Sequence, residues 1–240
     1  MKKNQLIRAV KEPKRVPKYF RWRLWLQTYF AKKVEKRVHF DYEEVSSGWG
    51  IDGAGLPHYA ARLYLEVRLL REALANCKAE KSLEIGCGYG RLTPWIAEFS
   101  KEHYAIDPEE KFIRDASLLH PQIHFQKAKA QKLPFPDDFF DLCLTWTVLQ
   151  HIPPEEIVGA VNEIKRVAKQ SAIIIVTEGV GTFQNETTFY RTVESWEELF
   201  QPWKLVWQTD RSLEETTWKD QGKVMRFERN ASAKNNENRS

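Results

Sequence analysis

From Lys81 onward, short apolar runs alternate with longer stretches in which apolar residues recur at helical spacing. The run Ile173–Val176 is continuously apolar, which is typical of a strand covered on both faces. Strands are predicted at Ser82–Ile85, His103–Ile106, Ile123–Gln126, Asp141–Thr145 and Ala172–Thr177, and helices at Leu92–Phe99, Pro108–Leu119 and Pro154–Ala168. This alternation predicts an α/β fold, in which a parallel sheet carries helices on both faces.

The segments on either side of this region have other patterns. Before it, a helical pattern runs from about His58 to Leu74. After it, a helix is predicted at Glu194–Phe200, and strand candidates at Lys204–Gln208 and Lys223–Arg229 could form a terminal antiparallel pair. We therefore predict a domain over 58–230. A polar tail, expected to be disordered, follows at 231–240, and an arm with a glycine-rich linker precedes the domain at 1–57.

The arm is strongly basic. Residues 1–40 hold 13 Lys and Arg against two acidic residues, a local charge of +11 in a chain whose net charge is +4. Aromatic and apolar residues recur there at helical spacing, at Trp22, Trp25, Leu26, Tyr29 and Phe30. Such a segment can pack on its own domain with a solvated basic side, or lie in an anionic membrane interface as a peripheral contact. RNA binding by charge and stacking would use the same features, but nucleic acid is not the favoured partner.

Composition narrows the class of protein. The chain has 240 residues, of which 42% are hydrophobic, which suits one domain with an appendage and excludes wholesale disorder. It contains no run of 18 apolar residues, so we expect no spanning helix. Its start lacks the apolar stretch of a secretory signal. The three cysteines form no CxxC pair, which indicates a reducing, cytoplasmic location and no zinc site.

The strongest chemical signal is a glycine loop, Glu84-Ile85-Gly86-Cys87-Gly88-Tyr89-Gly90-Arg91, between a predicted strand and a predicted helix. Asp107 lies 21 residues past Gly86, at the end of the second strand, where a carboxylate can bind both hydroxyls of a ribose. A nicotinamide dinucleotide site would need a glycine at position 91, and Glu84 would repel a pyrophosphate. The pattern favours a nucleoside with an amino acid tail and no phosphate, which is S-adenosylmethionine. The alternative is a tight turn without a ligand.

These segments resemble the class I S-adenosylmethionine-dependent methyltransferases. Ser82–Leu92 is similar to the family's first motif and Ala105–Pro108 to its second. Leu133–Asp141 matches the LPFPDxxFD stretch of the small-molecule branch, and Val148–Ile152 its VLxHI. The resemblance covers about residues 58–178. It implies a Rossmann-like, seven-stranded methyltransferase sandwich, here with an N-terminal helical extension.

The resemblance also implies which residues hold the cofactor. Asp107 would bind the ribose, Ala130 and Gln131 would edge the adenine, and residues of the glycine loop would line the methionine part. The full set is Glu84, Gly86, Cys87, Gly88, Gly90, Asp107, Ala130, Gln131, Thr145 and Trp146. The family usually has an aspartate where this chain has Lys129, and a lysine cannot accept from the adenine amino group. Either cofactor affinity is reduced, or the Gln131 carbonyl substitutes.

Methyl transfer mainly requires alignment of the acceptor and exclusion of water, but a hydroxyl acceptor gains from a general base. His151, after the fourth strand, and Glu178, at the end of the fifth, are the candidate bases. The alternatives are a structural hydrogen bond for His151 and a solvated loop acid for Glu178.

Two absences narrow the acceptor. No Asn/Asp-Pro-Pro-Tyr/Phe motif follows the fourth strand, which disfavours an amino group of adenine or glutamine as the acceptor. No Pro-Cys pair could act as a nucleophile, which disfavours methylation of a base carbon through a covalent adduct. The sequence therefore predicts O-methylation of a small-molecule or glycan-type acceptor. The alternative is a protein with weak or lost catalysis that docks on a membrane or protein partner through its arm.

Overall fold

The computed structural model describes residues 55–211 and 221–229, with side chains from Leu63 onward. Of the predicted arm and linker at 1–57, residues 1–54 lie outside the described residues, as does the predicted tail at 231–240, and residues 55–57 belong to the first helix. The elements are α1 Gly55–Ala73, β1 Ala79–Ile85, α2 Thr93–Ala97, β2 Ser100–Asp107, α3 Glu110–Leu119, β3 His124–Lys127, β4 Phe140–Trp146, α4 Pro154–Val167, β5 Ala168–Gly179, α5 Val193–Phe200, β6 Lys204–Asp210 and β7 Gly222–Glu228. A short 3-10 turn, Leu149–His151, lies between β4 and α4.

The seven strands form one sheet in the order β3-β2-β1-β4-β5-β7-β6. Strands β1 to β5 are parallel, which confirms the predicted parallel core. Strand β7 runs antiparallel between β5 and β6, so the predicted terminal antiparallel pair is also confirmed. The strand order reverses between β1 and β4, and ligands of open α/β sheets bind beyond the carboxyl ends of the strands at such a point.

Several observed elements have other bounds than predicted; β1 and β2, for example, each begin three residues before the predicted start, and β5 differs most. Strand β5 begins at Ala168, four residues before the predicted start, because α4 ends at Val167 and the chain passes straight into the strand. The intervening residues Lys169–Ser171 are polar and at least partly exposed, so their pattern does not indicate a strand. Helix α1 begins at Gly55, three residues before the predicted start.

Helices cover both faces of the sheet. On one face α4 and α5 pack over β1, β4 and β5, with Trp196 and Phe200 fully buried. On the other face α1 and α2 pack over β4, β5 and β7, with Leu70 of α1 and Leu74, directly after that helix, fully buried. Burying a leucine side chain contributes roughly 1.5–3 kcal/mol, so these layers stabilise the sheet from both sides. They leave the carboxyl ends of β1 and β4 to form the site.

The ends of the covering helices are set by local sequence. Helix α4 starts at Pro154, with Glu155 and Glu156 in its first turn, and carries Lys165 and Arg166 in its last turn. Acidic residues near the start and basic residues near the end both stabilise the helix dipole. This helix begins three residues after the 3-10 turn that follows β4.

Candidate cofactor site

The glycine loop leaves β1 and folds back on β2. The backbone N–H groups of Gly86 and Cys87 both donate to the Ile106 carbonyl, at 2.8 and 2.9 Å, and Gly90 donates to the Cys87 carbonyl at 3.0 Å. Gly86, Gly88 and Gly90 have φ values of +75°, +54° and +85°, a region that other residues seldom adopt. The predicted tight turn between strand and helix is confirmed.

The three glycines meet different surroundings. A Cβ atom added at Gly86 would lie 2.3 Å from a methyl carbon of Val148, and one added at Gly90 would lie 3.0 Å from the ring of His120. A Cβ added at Gly88 would meet no atom of the described residues within 4 Å. Packing therefore leaves no room for a Cβ at Gly86 and little at Gly90, whereas Gly88 borders open space in which a ligand can approach the backbone.

Asp107 ends β2 beside this open space and is only 7% exposed. One carboxylate oxygen accepts from the Gly88 N–H and the other from the Glu109 N–H, both at 2.9 Å. Burial raises the pKa of this carboxyl, although the two N–H donors lower it in part. A carboxylate offers about four acceptor positions, so each oxygen retains one for a further donor. These remaining positions suit the two hydroxyls of a ribose.

A buried polar chain lies beneath the loop. Glu84 accepts a hydrogen bond from the Thr93 hydroxyl at 2.5 Å, and its carboxylate lies 3.6 Å from His103 Nε2. The other ring nitrogen of His103 is 2.7 Å from the Ser82 hydroxyl. Glu84 is 3% exposed, so its carboxylate is held beneath the loop by these buried side chains. The predicted cofactor residue Glu84 thus lies at the base of the loop with a chemistry suited to an ammonium group.

The residues predicted to lie along the edge of the adenine, Ala130 and Gln131, follow β3. Ala130 is buried, and the Gln131 amide nitrogen donates to Glu156, in the first turn of α4, at 2.6 Å. This bond orients the amide and leaves the Gln131 carbonyl oxygen, together with the second N–H, for a ligand. Lys129, the departure from the family pattern, is exposed.

Arg166, on α4, binds the LPFPDD segment, which follows the predicted adenine-binding residues Ala130 and Gln131. Arg166 donates to the carbonyl oxygens of Leu133 and Phe135, at 3.0 and 2.8 Å, and pairs with Glu163 and Asp137. Glu163 in turn accepts from the Leu133 N–H at 2.8 Å. Arg166 lowers the pKa of Glu163. These bonds tie the LPFPDD segment to α4 and so fix the position of the adenine edge.

At the end of β4 the two predicted site residues point to opposite faces of the sheet. The Thr145 hydroxyl donates to Glu178 at 3.0 Å, and Trp146 Nε1 donates to Glu66 of α1 at 3.3 Å. Glu66 is fully buried and pairs with Arg91 of the glycine loop. Arg91 marks the departure from a dinucleotide motif, and in the structure it ties the loop to α1. Sequence reasoning missed Glu66, because a single acid in an amphipathic helix pattern carries no signal.

The two candidate bases differ in exposure. His151 is exposed, its Nδ1 donates to the Thr187 carbonyl at 2.8 Å, and its Nε2 lies 3.3 Å from the Gln150 amide nitrogen. Glu178 is fully buried, so the alternative of a solvated loop acid is wrong. Burial raises the pKa of Glu178, and four hydrogen-bond donors oppose that rise. Whether either residue acts as a base stays a prediction.

The three cysteines are free and buried. Burial raises the pKa of each thiol. In the part of the chain that the structure describes, no group of three or more His, Cys, Asp or Glu side chains is arranged to hold a metal ion.

Comparison with known proteins identifies the domain. Residues 83–176 match the family described as "Methyltransferase domain". A stretch of 110 residues is 29% identical to the "Uncharacterized methyltransferase YcgJ" of Bacillus subtilis and covers 43% of each chain. A stretch of 102 residues is 28% identical to the "Probable S-adenosylmethionine-dependent methyltransferase Rv3030" of Mycobacterium tuberculosis, covering 42% of this chain and 36% of that one. The chain spans about half the length of the curated relatives it matches, or less.

Solved structures show the same fold. The PH0226 protein from Pyrococcus horikoshii superimposes with a TM-score of 0.59 at 17% identity, over 73% of this chain and 93% of that one. The crystal structure of YcgJ gives a TM-score of 0.52 at 20% identity, over 62% and 72%. The [4+2]-cyclase SpnF also matches, with a TM-score of 0.53 at 21% identity over 61% and 60%, so the fold alone does not fix the reaction.

Membership of the small-molecule branch stays a prediction. The matched family, the strand order and the geometry of the glycine loop agree, and the chain therefore carries a class I S-adenosylmethionine-dependent methyltransferase domain in residues 83–176.

Proposed function

We propose that this chain is an S-adenosylmethionine-dependent methyltransferase that methylates a hydroxyl oxygen of a small-molecule or glycan-type acceptor. The observation that carries the proposal is the open space beside Gly88, bordered by the Asp107 carboxylate. A nucleoside can approach the backbone there, and the remaining acceptor positions of Asp107 match its ribose hydroxyls. When bound, the cofactor supplies a methyl group on a positively charged sulfur.

Different residues around the loop would bind different parts of the cofactor. Asp107 would accept from the ribose, and Glu84 would favour the ammonium group of the amino acid tail. The Gln131 carbonyl would accept from the adenine amino group, in the place of the aspartate that Lys129 replaces. The bond from Gln131 to Glu156 supports this role, because it orients the amide and leaves the carbonyl oxygen for the ligand.

The acceptor would enter beyond the ends of β4 and β5. The ring of Tyr190 lies over Gly179, where an added Cβ would be 2.1 Å from it, and Phe183 lies 5.3 Å from Tyr190 between ring centroids. Phe183 is 51% exposed, so an aromatic surface faces this entrance. Aromatic faces pack against sugar rings and planar small molecules alike.

His151 is the better placed of the two candidate bases. A carbonyl oxygen only accepts, so the bond to Thr187 puts the proton on Nδ1 and leaves the lone pair on Nε2. That nitrogen is 3.3 Å from the Gln150 amide nitrogen, a long contact that an acceptor hydroxyl would have to replace. Glu178, by contrast, is buried under four donors. We therefore propose that His151 receives the hydroxyl proton as the oxygen attacks the methyl carbon.

Calorimetry with S-adenosylmethionine and S-adenosylhomocysteine tests the first step. We expect micromolar binding that Asp107→Ala weakens at least tenfold, because the ribose hydroxyls lose their acceptor. No binding to the wild-type protein would overturn the proposed function, and binding unchanged by the substitution would overturn the ribose assignment.

A transfer assay tests the acceptor class. Cofactor labelled in its methyl group is incubated with glycan, phenol and lipid extracts, and labelled products are identified by mass spectrometry. We expect the label on oxygen. Label found on nitrogen or carbon would overturn the acceptor class while leaving the methyltransferase assignment intact.

The alternative of a cofactor fold without catalysis is not favoured, because the relatives are named as methyltransferases. Peripheral binding to anionic membrane through residues 1–40 remains compatible with an enzyme, and we propose it as the arm's role on its charge of +11. Among the described residues, no helix is long and apolar enough to cross a membrane. Co-sedimentation with anionic vesicles should be lost on deletion of residues 1–38. Equal sedimentation of both forms would overturn the membrane proposal.

A further inference from the structure

The turn that follows β4 is built around one buried carboxylate. Glu178, near the end of β5, is fully buried. One of its oxygens accepts from the Thr145 hydroxyl and from the N–H groups of Val148 and Leu149, at 3.0, 3.2 and 3.1 Å. The other oxygen accepts from the Gln150 N–H at 3.1 Å. Three consecutive backbone donors thus converge on a single side chain from the neighbouring strand.

This turn holds an unfavourable backbone conformation. Thr147 has a φ of +57°, which is costly for a β-branched residue and persists only where the surroundings enforce it. Its N–H donates to the Thr177 carbonyl at 2.7 Å, and the next three N–H groups are held by Glu178. The surroundings that enforce the conformation are therefore the end of β5 and its carboxylate.

The turn also touches the glycine loop. The methyl carbons of Val148 lie where a Cβ of Gly86 would be, at 2.3 and 2.9 Å from that position. Because the Val148 N–H is bound to Glu178, the side chain that supports Gly86 is placed by Glu178. A continuous path of contact runs from the carboxylate, through Val148, to the first glycine of the loop.

We propose that Glu178 is a positioning residue, which fixes the turn at 147–150 and through Val148 supports the glycine loop against which the cofactor lies. Three donors converge on one oxygen of Glu178 and a fourth binds the other, so the buried carboxylate is engaged by the turn rather than directed at an acceptor. This inference rests on the proposed function and competes with the prediction that Glu178 is a base.

The test uses full-length Glu178→Gln, with S-adenosylhomocysteine as the probe. An amide nitrogen in place of a carboxylate oxygen cannot accept, so at least one backbone N–H of the turn loses its partner. We expect the affinity for S-adenosylhomocysteine to fall about tenfold, as a lost charge-assisted hydrogen bond would allow. Amide hydrogen exchange of a peptide covering 147–150 should become faster in the variant, with or without the probe. Unchanged affinity and unchanged exchange would overturn the proposal.

A matched control separates positioning from general loss of stability. Ile164→Ala removes a fully buried side chain of α4, outside the turn. It should lower the melting temperature and leave the probe affinity within twofold of wild type. If this control weakens binding as much as Glu178→Gln, the effect is one of stability alone and the proposal fails.

A second variant covers the case in which Glu178→Gln does not fold. Val148→Ala removes the methyl groups that contact Gly86 and keeps the carboxylate with all its donors. We expect a several-fold loss of probe affinity, and no loss would overturn the link to the glycine loop. Failure of the wild-type protein to bind the probe would instead refute the proposed function, while the exchange measurement without probe would still report on the turn.

Discussion

Alanine at Gly86 should destabilise the fold by an amount that the structure allows us to estimate. The new Cβ would lie 2.3 and 2.9 Å from the two methyl carbons of Val148, far inside normal contact. Forcing extra atoms into a packed region costs about 1–3 kcal/mol. The φ of +75° adds about 1–2 kcal/mol for a residue with a Cβ. The expected loss in the free energy of unfolding is therefore about 2–5 kcal/mol.

Alanine at Gly88 provides the contrast. Its φ of +54° carries the same backbone cost of about 1–2 kcal/mol, but the new Cβ would meet no atom of the described residues within 4 Å. The space that it would fill is the one proposed for the cofactor. Gly88→Ala should therefore lower the stability less than Gly86→Ala does, and it should weaken S-adenosylhomocysteine binding beyond any effect on stability.

Urea denaturation followed by tryptophan fluorescence measures both stabilities, since each midpoint and slope give a free energy of unfolding. A double variant, Gly86→Ala with Val148→Ala, should recover about 1–3 kcal/mol relative to the sum of the single changes, because the clashing methyl groups are gone. The reasoning would be refuted if Gly86→Ala were as stable as wild type. Additive effects in the double variant would refute the assigned contact.

Three further predictions concern titration and access. Because burial raises the pKa of Asp107, this carboxyl takes up a proton at a higher pH than an ordinary aspartate, and cofactor affinity should fall as the pH drops through that range. Asp107→Asn should bind the cofactor weakly in calorimetry, with an affinity that does not change over this pH range. An affinity that falls with pH in the variant as it does in wild type would contradict this. Arg166→Met should lose about 1–2 kcal/mol of unfolding free energy at neutral pH. The lowered pKa of Glu163 stabilises the fold above the usual titration range of a glutamate. The difference in unfolding free energy between wild type and Arg166→Met should therefore narrow as acid protonates Glu163. A difference that stays constant with pH would contradict the pairing. The three buried thiols, whose pKa values are raised by burial, should react with a thiol reagent at pH 8 only after unfolding, and fast labelling of one in the native protein would contradict their burial.

The elements that local pattern specifies were predictable from sequence. Strands β4 and β5 have apolar runs that only a doubly covered sheet can bury, and the loop glycines indicate the backbone conformation that they adopt. Asp107 could be located because its spacing from the loop follows from one helix and one strand. These features depend on residues close together in the chain, so the sequence carries them directly.

Features that depend on distant partners were not predictable. Glu178 was read as a strand-end residue facing the crevice or solvent, and its burial depends on a turn 28 to 30 residues earlier folding over it. Glu66 pairs with Arg91, 25 residues further on, from a helix whose pattern marks only its apolar side. The start of β5 was missed because its first residues are polar and its pairing with β4 shifts register there.

The position of β7 constrains the order in which the chain can fold during synthesis. This strand, Gly222–Glu228, comes after all the other described strands in the chain, yet it occupies an interior place in the sheet between β5 and β6. Until it emerges from the ribosome, the apolar strand β5 presents an unpaired edge, and β6 has no neighbour with which to pair. An open edge of this kind can pair with other chains, so the nascent protein is exposed to misassociation until β7 is in place.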